Sequence, residues 1–146
     1  MKKILTAISI AALFGLALAG CGKEDTDINK ALGSEEMTVT PTKITREKAA
    51  TDRKNILKIA VKVKNNSKTE IGIGAGNFRI KDDNRKVYDS YGMKKDSLGQ
   101  VVAPGETITG NIYFEVPAIL EKVWLEYDVS MDREPAAEWL LAFPTK

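Results

Sequence analysis

Side chains able to do chemistry are sparse in this sequence, and their types exclude more than they permit. Cys21 is the only thiol and there is no histidine, so the commonest general base and the commonest metal ligand are both missing. A serine hydrolase would then need lysine as its base. Ser97 follows Lys94-Lys95-Asp96, but in a stretch that reads as loop, where nothing would desolvate a lysine and lower its pKa. Glu115 and Glu126 read as charged residues on outward strand faces, not as an acid–base pair. Asp82-Asp83-Asn84 and the trio Asp128, Asp132 and Glu134 offer oxygens, yet neither has the spacing that wraps six or more around calcium. Gly72-Ile73-Gly74-Ala75-Gly76 lacks the helix that a phosphate loop needs directly after its glycines. It reads as a bulge or a bend between sheets. The expectation is a chain with no catalytic residues, no metal ligands and no cofactor: not an enzyme.

What remains is charge, arranged by position. The chain has 22 basic and 20 acidic residues, and Lys2 and Lys3 lie in the first 20 residues. The remaining 126 carry 20 of each, which gives no basis for nucleic-acid binding. Thr42 to Lys68 nevertheless holds nine basic residues against two acidic, and Glu106 to Glu138 holds eight acidic against two basic. Leu57, Ile59, Val61 and Val63 alternate with Lys58, Ala60, Lys62 and Lys64, the pattern of a strand with one buried and one wet face. Lys58, Lys62 and Lys64 then point outward, beside a strand over 107–116 whose outward residues are Thr107, Thr109, Asn111 and Tyr113. The candidate partner surface is Lys58, Lys62, Lys64 and Tyr113, with Trp124 a second outward aromatic. Envelope proteins or an anionic wall polymer would suit it. The competing reading is that these lysines simply keep a strand soluble. Glu126 and Asp128 are expected on the opposite sheet, making its face negative.

The elements that must carry this surface begin with an address. Lys2 and Lys3 precede an unbroken apolar run, Ile4 to Ala19, and the composition turns polar at Gly22-Lys23-Glu24-Asp25, which is the plan of a secretory signal peptide. The run is short for a transmembrane span. The ending Leu18-Ala19-Gly20-Cys21 resembles the lipobox of bacterial lipoproteins. That resemblance implies cleavage before Cys21, covalent diacylglycerol on its thiol, and a chain held on the extracytoplasmic face of the cell membrane. Two acyl chains hold where one is marginal, each buried methylene adding about 0.8 kcal/mol. Residues 1–20 are thus a signal peptide, 21–36 the lipidated cysteine with a flexible tether, and 37–146 the folded domain. The tether could reach about 50 Å when extended. Leu13 to Gly20 also closely resembles an enterococcal sex-pheromone octapeptide, a rival role for the discarded segment, although signal peptides converge on such strings.

Within the domain, Met37–Thr40 reads as a strand that Pro41 confines to an edge, continuing into a polar stretch and loop through Asn55. Strands follow over 57–64, 70–73, 77–81, 86–89, 107–116 and 123–129. Ser90 to Gln100 reads as loop, and Ala103-Pro104-Gly105-Glu106 as a turn. Ala137, Trp139, Leu141 and Phe143 alternate as a last strand, although Pro135-Ala136-Ala137-Glu138 could open a short helix. About seven short strands with turns every 8–12 residues imply an all-β, immunoglobulin-like antiparallel sandwich. An open barrel is the structural rival.

Val61-Lys62-Val63-Lys64-Asn65-Asn66-Ser67, Asn77-Phe78-Arg79-Ile80-Lys81-Asp82 and Val87-Tyr88 resemble the first half of the DUF4352-type extracellular domain. Ala103-Pro104-Gly105-Glu106 and Gly110-Asn111-Ile112-Tyr113-Phe114-Glu115-Val116-Pro117 resemble its second half. One departure is Asp83-Asn84, where the family often carries an Asp-Gly-like turn. The resemblance implies a domain of Gram-positive lipoproteins, similar to a secreted mycobacterial immunoprotective antigen with an immunoglobulin-like sandwich. It brings no established activity.

Overall fold

The computed structural model describes residues 26–130 and 134–144. Among them the chain forms an immunoglobulin-like antiparallel β-sandwich, as the strand spacing predicts. The first sheet has the order β1-β2-β3-β8, from Leu32–Gly33, Met37–Lys48, Lys54–Asn65 and Thr107–Pro117. The second has the order β10-β9-β5-β6, from Ala137–Ala142, Lys122–Tyr127, Phe78–Lys81 and Val87–Asp89. A two-stranded ribbon pairs β4, Ile71–Gly74, with β7, Gly99–Val102.

The alternation read in β3 is what the sandwich closes on. Leu57, Ile59, Val61 and Val63 are each at most 1% exposed. They meet Phe78, Ile80, Val123, Leu125 and Tyr127 from the second sheet in one apolar cluster. Each such aliphatic side chain contributes roughly 1.5–3 kcal/mol when fully buried. The neighbour of β3 is β8, as expected, with Ile59 opposite Ile112 and Leu57 opposite Phe114. The glycine-rich stretch does bend between sheets: β4 ends at Gly74, a 3₁₀ turn spans Ala75–Asn77, and β5 starts at Phe78 in the second sheet. The ambiguous tail is a strand, β10, with Trp139 and Leu141 fully buried.

Two expectations need correction, and the first strand, which does continue past Pro41, holds an irregularity that its sequence does not show. β2 runs unbroken for 12 residues, and its register with β3 slips between Pro41 and Lys43. The extra residue shifts the inward parity from Met37 and Val39 to Ile44, so no single period-two pattern spans it. The stretch expected as loop, Ser90 to Gln100, ends in strand: β7 starts at Gly99 and runs on to Val102, its only buried residue. The expected tether also ends early. Ile28 and Leu32 pack against the core, the Asp27 amide donates to Leu140 O at 2.7 Å, and Leu32 lies opposite Val39 in β1–β2 pairing. Residues 26–36 therefore belong to the folded unit, because their few apolar side chains and their backbone groups find partners on two exposed strand edges.

Candidate functional site

The register of the first sheet places its outward residues. Thr38, Thr40, Lys43, Thr45 and Glu47 come from β2, and Lys54, Ile56, Lys58, Ala60, Lys62 and Lys64 from β3. β8 supplies Thr107, Thr109, Asn111, Tyr113 and Glu115. This face divides into two halves of different electrostatics.

In one half Lys54, Lys58 and Lys94 each have a counter-charge. The segment from Tyr91 to Leu98 lies along β8, with the Tyr91 amide donating to Tyr113 O at 2.6 Å and the Leu98 amide to Asn111 O at 2.7 Å. It covers Tyr113, which is 2% exposed. The Tyr113 hydroxyl donates to Asp96 at 2.7 Å, and Lys58 Nζ stands 3.6 Å from the same carboxylate and 5.7 Å from the ring centroid. Lys94 pairs with Glu47 at 2.8 Å and lies 5.5 Å from the Tyr113 ring. Burial first, and then the Asp96 hydrogen bond, raise the Tyr113 hydroxyl pKa. Tyr113 in turn holds the Asp96 carboxyl below its ordinary value. Tyr113 and Lys58 are thus internal partners rather than free surface. For Tyr113 the outward parity is right and the exposure is wrong, because a loop lies over it.

The other half is different. Lys43, Lys62 and Lys64 are exposed, and none of the outward strand positions around them, namely Thr38, Thr40, Ala60, Thr107 and Thr109, is acidic. Lys62 and Lys64 line a cavity of about 240 Å³ with Ala31, Thr38, Thr40 and Thr107. Thr40 faces Lys62, and Lys64 sits between Thr38 and Thr107. Two ammonium groups, each with three donors, and hydroxyls that donate or accept make a lining suited to phosphate or carboxylate oxygens. Lys43 and the two β2 threonines could not be placed from sequence, because the bulge at Pro41 hides their common face.

The second sheet is not the negative face expected. Its outward residues include Arg79, Lys81 and Lys122 as well as Asp89, Glu126 and Glu138, three charges of each sign. Glu126 is no ordinary outward carboxylate either, being only 1% exposed. Arg79 Nε donates to it at 2.6 Å, and Lys81 Nζ bonds its other oxygen. Burial pushes the Glu126 carboxyl up, and the two cations outweigh that and hold it below its ordinary value.

Asp82 is turn chemistry: Oδ1 accepts from the Asn84 and Lys86 amides at 2.8 and 3.0 Å, and Oδ2 from the Tyr88 hydroxyl at 3.0 Å. Among the described residues no cluster of three or more carboxylates, cysteines or histidines is arranged to hold a metal. Leu18, Ala19, Gly20 and Cys21, the octapeptide 13–20, and Asp132 lie outside the described residues.

A family model described as a domain of unknown function, DUF4352, matches residues 26–136. The chain belongs to the DUF4352 family. The match begins at Thr26, where the described fold also begins. No curated protein matches the sequence. Among solved structures, the ycdA protein of Bacillus subtilis, a lipoprotein candidate, superposes with a TM-score of 0.60 at 16% identity. That match covers 76% of this chain but only 37% of the ycdA chain. A secreted protein of Mycobacterium tuberculosis, MPT63, gives a TM-score of 0.57 at 14% identity over 82% of this chain and 95% of that one. The yjhA protein of Bacillus subtilis gives 0.57 at 15% identity over 80% and 98%. These likenesses are likenesses of fold.

Proposed function

We propose that this DUF4352 chain is a surface lipoprotein, acylated at Cys21, whose sandwich is a non-catalytic module binding a phosphate-bearing anionic wall polymer. The observation that carries the binding reading is the open half of the first sheet, where Lys62 and Lys64 line a cavity with Thr38, Thr40 and Thr107 while Lys54 and Lys58 of the same sheet are paired. The Leu18-Ala19-Gly20-Cys21 ending and the preceding apolar run support the anchor. Residues 21–25 would span at most about 18 Å, far less than the reach read from sequence, so the domain would stand close to the head groups. A Gram-positive envelope fits both the fold relatives from Bacillus subtilis and a partner rich in phosphodiesters.

Two experiments test this reading. Full-length protein carrying Lys62→Gln and Lys64→Gln should co-sediment less with poly(glycerol phosphate) polymer than the parent, and with a flatter dependence on salt, because fewer ion contacts are screened. Retention that is unchanged across the salt series would reduce these lysines to a solvated strand face. For the anchor, Cys21→Ala should abolish metabolic incorporation of labelled fatty acid, and a variant still labelled would remove the lipoprotein reading.

A further inference from the structure

The outward face of the second sheet holds a separate cavity of about 310 Å³, lined by Lys81, Asp82, Asp83, Arg85, Trp124 and Glu138, a size at the lower end for small-ligand sites. Trp124 is half-buried in β9, between Lys81 on β5 and Leu140 on β10. The other tryptophan, Trp139, is fully buried and donates its indole N–H to Lys30 O at 2.8 Å. Only Trp124 can present a ring to solvent.

The charges around that ring are largely neutralised within the protein. Lys81 bonds Glu126, Asp83 pairs with Lys122 at 3.4 Å, and Asp82 is committed to its turn. Lys122 Nζ also lies 5.5 Å from the Trp124 centroid. A paired carboxylate or ammonium has little attraction left for another ion, but it keeps spare lone pairs or N–H groups. Arg85 sits at the rim with φ of 63°, a left-handed conformation uncommon outside glycine, asparagine and aspartate. The turn that imposes it is fixed by Asp82, whose backbone carbonyl accepts from the Arg85 amide at 3.0 Å and whose backbone amide donates to Lys86 O at 3.1 Å. An arginine held where glycine would be easier suggests use of its side chain.

From this geometry we infer that the Trp124 cavity is a binding site for a neutral saccharide. A pyranose has a flat C–H face that stacks on an indole, and a rim of hydroxyls that each donate and accept. The cavity offers one indole face ringed by both donors and acceptors, most of whose charges are already paired or hydrogen-bonded. A small zwitterion would engage only Arg85 and Glu138, which lie outside these pairs, and would leave the indole face and the spare donors and acceptors of the pairs unused. The site is on the opposite sheet from Lys62 and Lys64 and does not depend on the polymer reading.

The test titrates the purified full-length chain, in a detergent without a sugar head group, with N-acetylglucosamine and glucose tetramers by calorimetry and tryptophan fluorescence. Saturable binding of at least one tetramer is expected, with an emission change assigned to Trp124 because Trp139 is enclosed. Trp124→Ala should abolish the binding heat, and Arg85→Ala and Glu138→Gln should each weaken affinity at least fivefold. Lys62→Gln with Lys64→Gln should leave it unchanged, separating this site from the polymer face. Glu138→Gln is a conservative change at an exposed position, so it remains informative should Trp124→Ala fail to fold. The inference is overturned if neither tetramer binds saturably, if Glu138→Gln binds as the parent does, or if glycine betaine competes at equal concentration.

Discussion

Asn65 Nδ2 donates to the backbone carbonyl of Val102 at 2.9 Å and to that of Thr69 at 2.7 Å, from a side chain with no exposed surface. Its Oδ1 accepts the Ser67 amide at 2.8 Å, and its own backbone pairs with Glu106 O and the Gly105 amide. One buried amide thus joins the end of β3 to the ribbon strand β7 and to the turn before β8. Asn65→Asp replaces two donors with acceptors facing carbonyl oxygens. It should lower stability by about 2–4 kcal/mol, read as a shift in the urea midpoint. A parental midpoint would remove Asn65 from this role.

Gly110 sits under Leu98. A Cβ at position 110 would lie 2.5 Å from Leu98 Cδ1 and 3.2 Å from its Cβ, so the whole leucine side chain would have to withdraw from the core. Gly110→Ala should cost about 1–3 kcal/mol. Combined with Leu98→Ala it should cost less than the sum of the two single changes, which a double-mutant cycle in urea would show.

Acid should loosen the second sheet. The folded Glu126 carboxyl titrates below its ordinary value, so its stabilising contribution is complete above the unfolded pKa of about 4.3. That contribution is lost as pH falls through the lower folded value. Glu126→Gln should destabilise the protein at pH 7 by about 1–3 kcal/mol, and should flatten the fall of thermal midpoint below pH 4.3. An acid limb identical to the parent's would show that Glu126 does not govern it.

Asp96 fastens the 91–98 segment over Tyr113. In Asp96→Asn the hydrogen-bonded carboxylate that helps raise the Tyr113 pKa is gone, so one tyrosine should titrate at lower pH by tyrosinate absorbance, and Tyr113 should become more accessible to nitration. An unchanged titration would mean that burial alone sets it.

The register itself can be tested by two neighbouring substitutions. Val61 is 1% exposed and Lys62 is exposed. Val61→Asp would place an unpaired charge between the sheets and should abolish cooperative unfolding, whereas Lys62→Asp should change stability by no more than about 0.5 kcal/mol. A one-residue slip would exchange these outcomes.

The inward face of β3 and the pairing of β3 with β8 were legible because both strands keep strict alternation over their whole length. The same alternation placed Lys62 and Lys64 outward. It misplaced Tyr113 because parity reports which face a side chain leaves from, not what lies over that face. The cover comes from residues 91–98, whose glycine, lysines and aspartate carry no periodic signal, and whose anchors are Tyr113, Asn111 and Glu47. The negative face failed for a related reason. Counting charges along Glu106 to Glu138 omits Arg79 and Lys81, which arrive beside Glu126 from a strand 45 or more residues away in sequence. Trp124 was legible as an aromatic with outward parity, but its cavity depends on the turn at Asp82, which only the tertiary pairing of β5 with β9 brings alongside.

The segment from Thr26 to Gly33 binds both layers. Asp27 exchanges bonds with Leu140, its side chain accepting the Leu140 amide at 2.9 Å, and Lys30 accepts from Trp139. The Asn29 amide donates to Pro41 O at 2.7 Å, and Leu32 pairs along β2. A pull on the chain from its N-terminal side would therefore enter at a seam gripping β10 of one sheet and β2 of the other. It would not peel a single terminal strand bond by bond. The load would be divided between the two sheets, and the seam would have to shear before either sheet felt a tearing force. Such a seam makes a strong mechanical attachment point for whatever force residues 1–25 transmit to the sandwich.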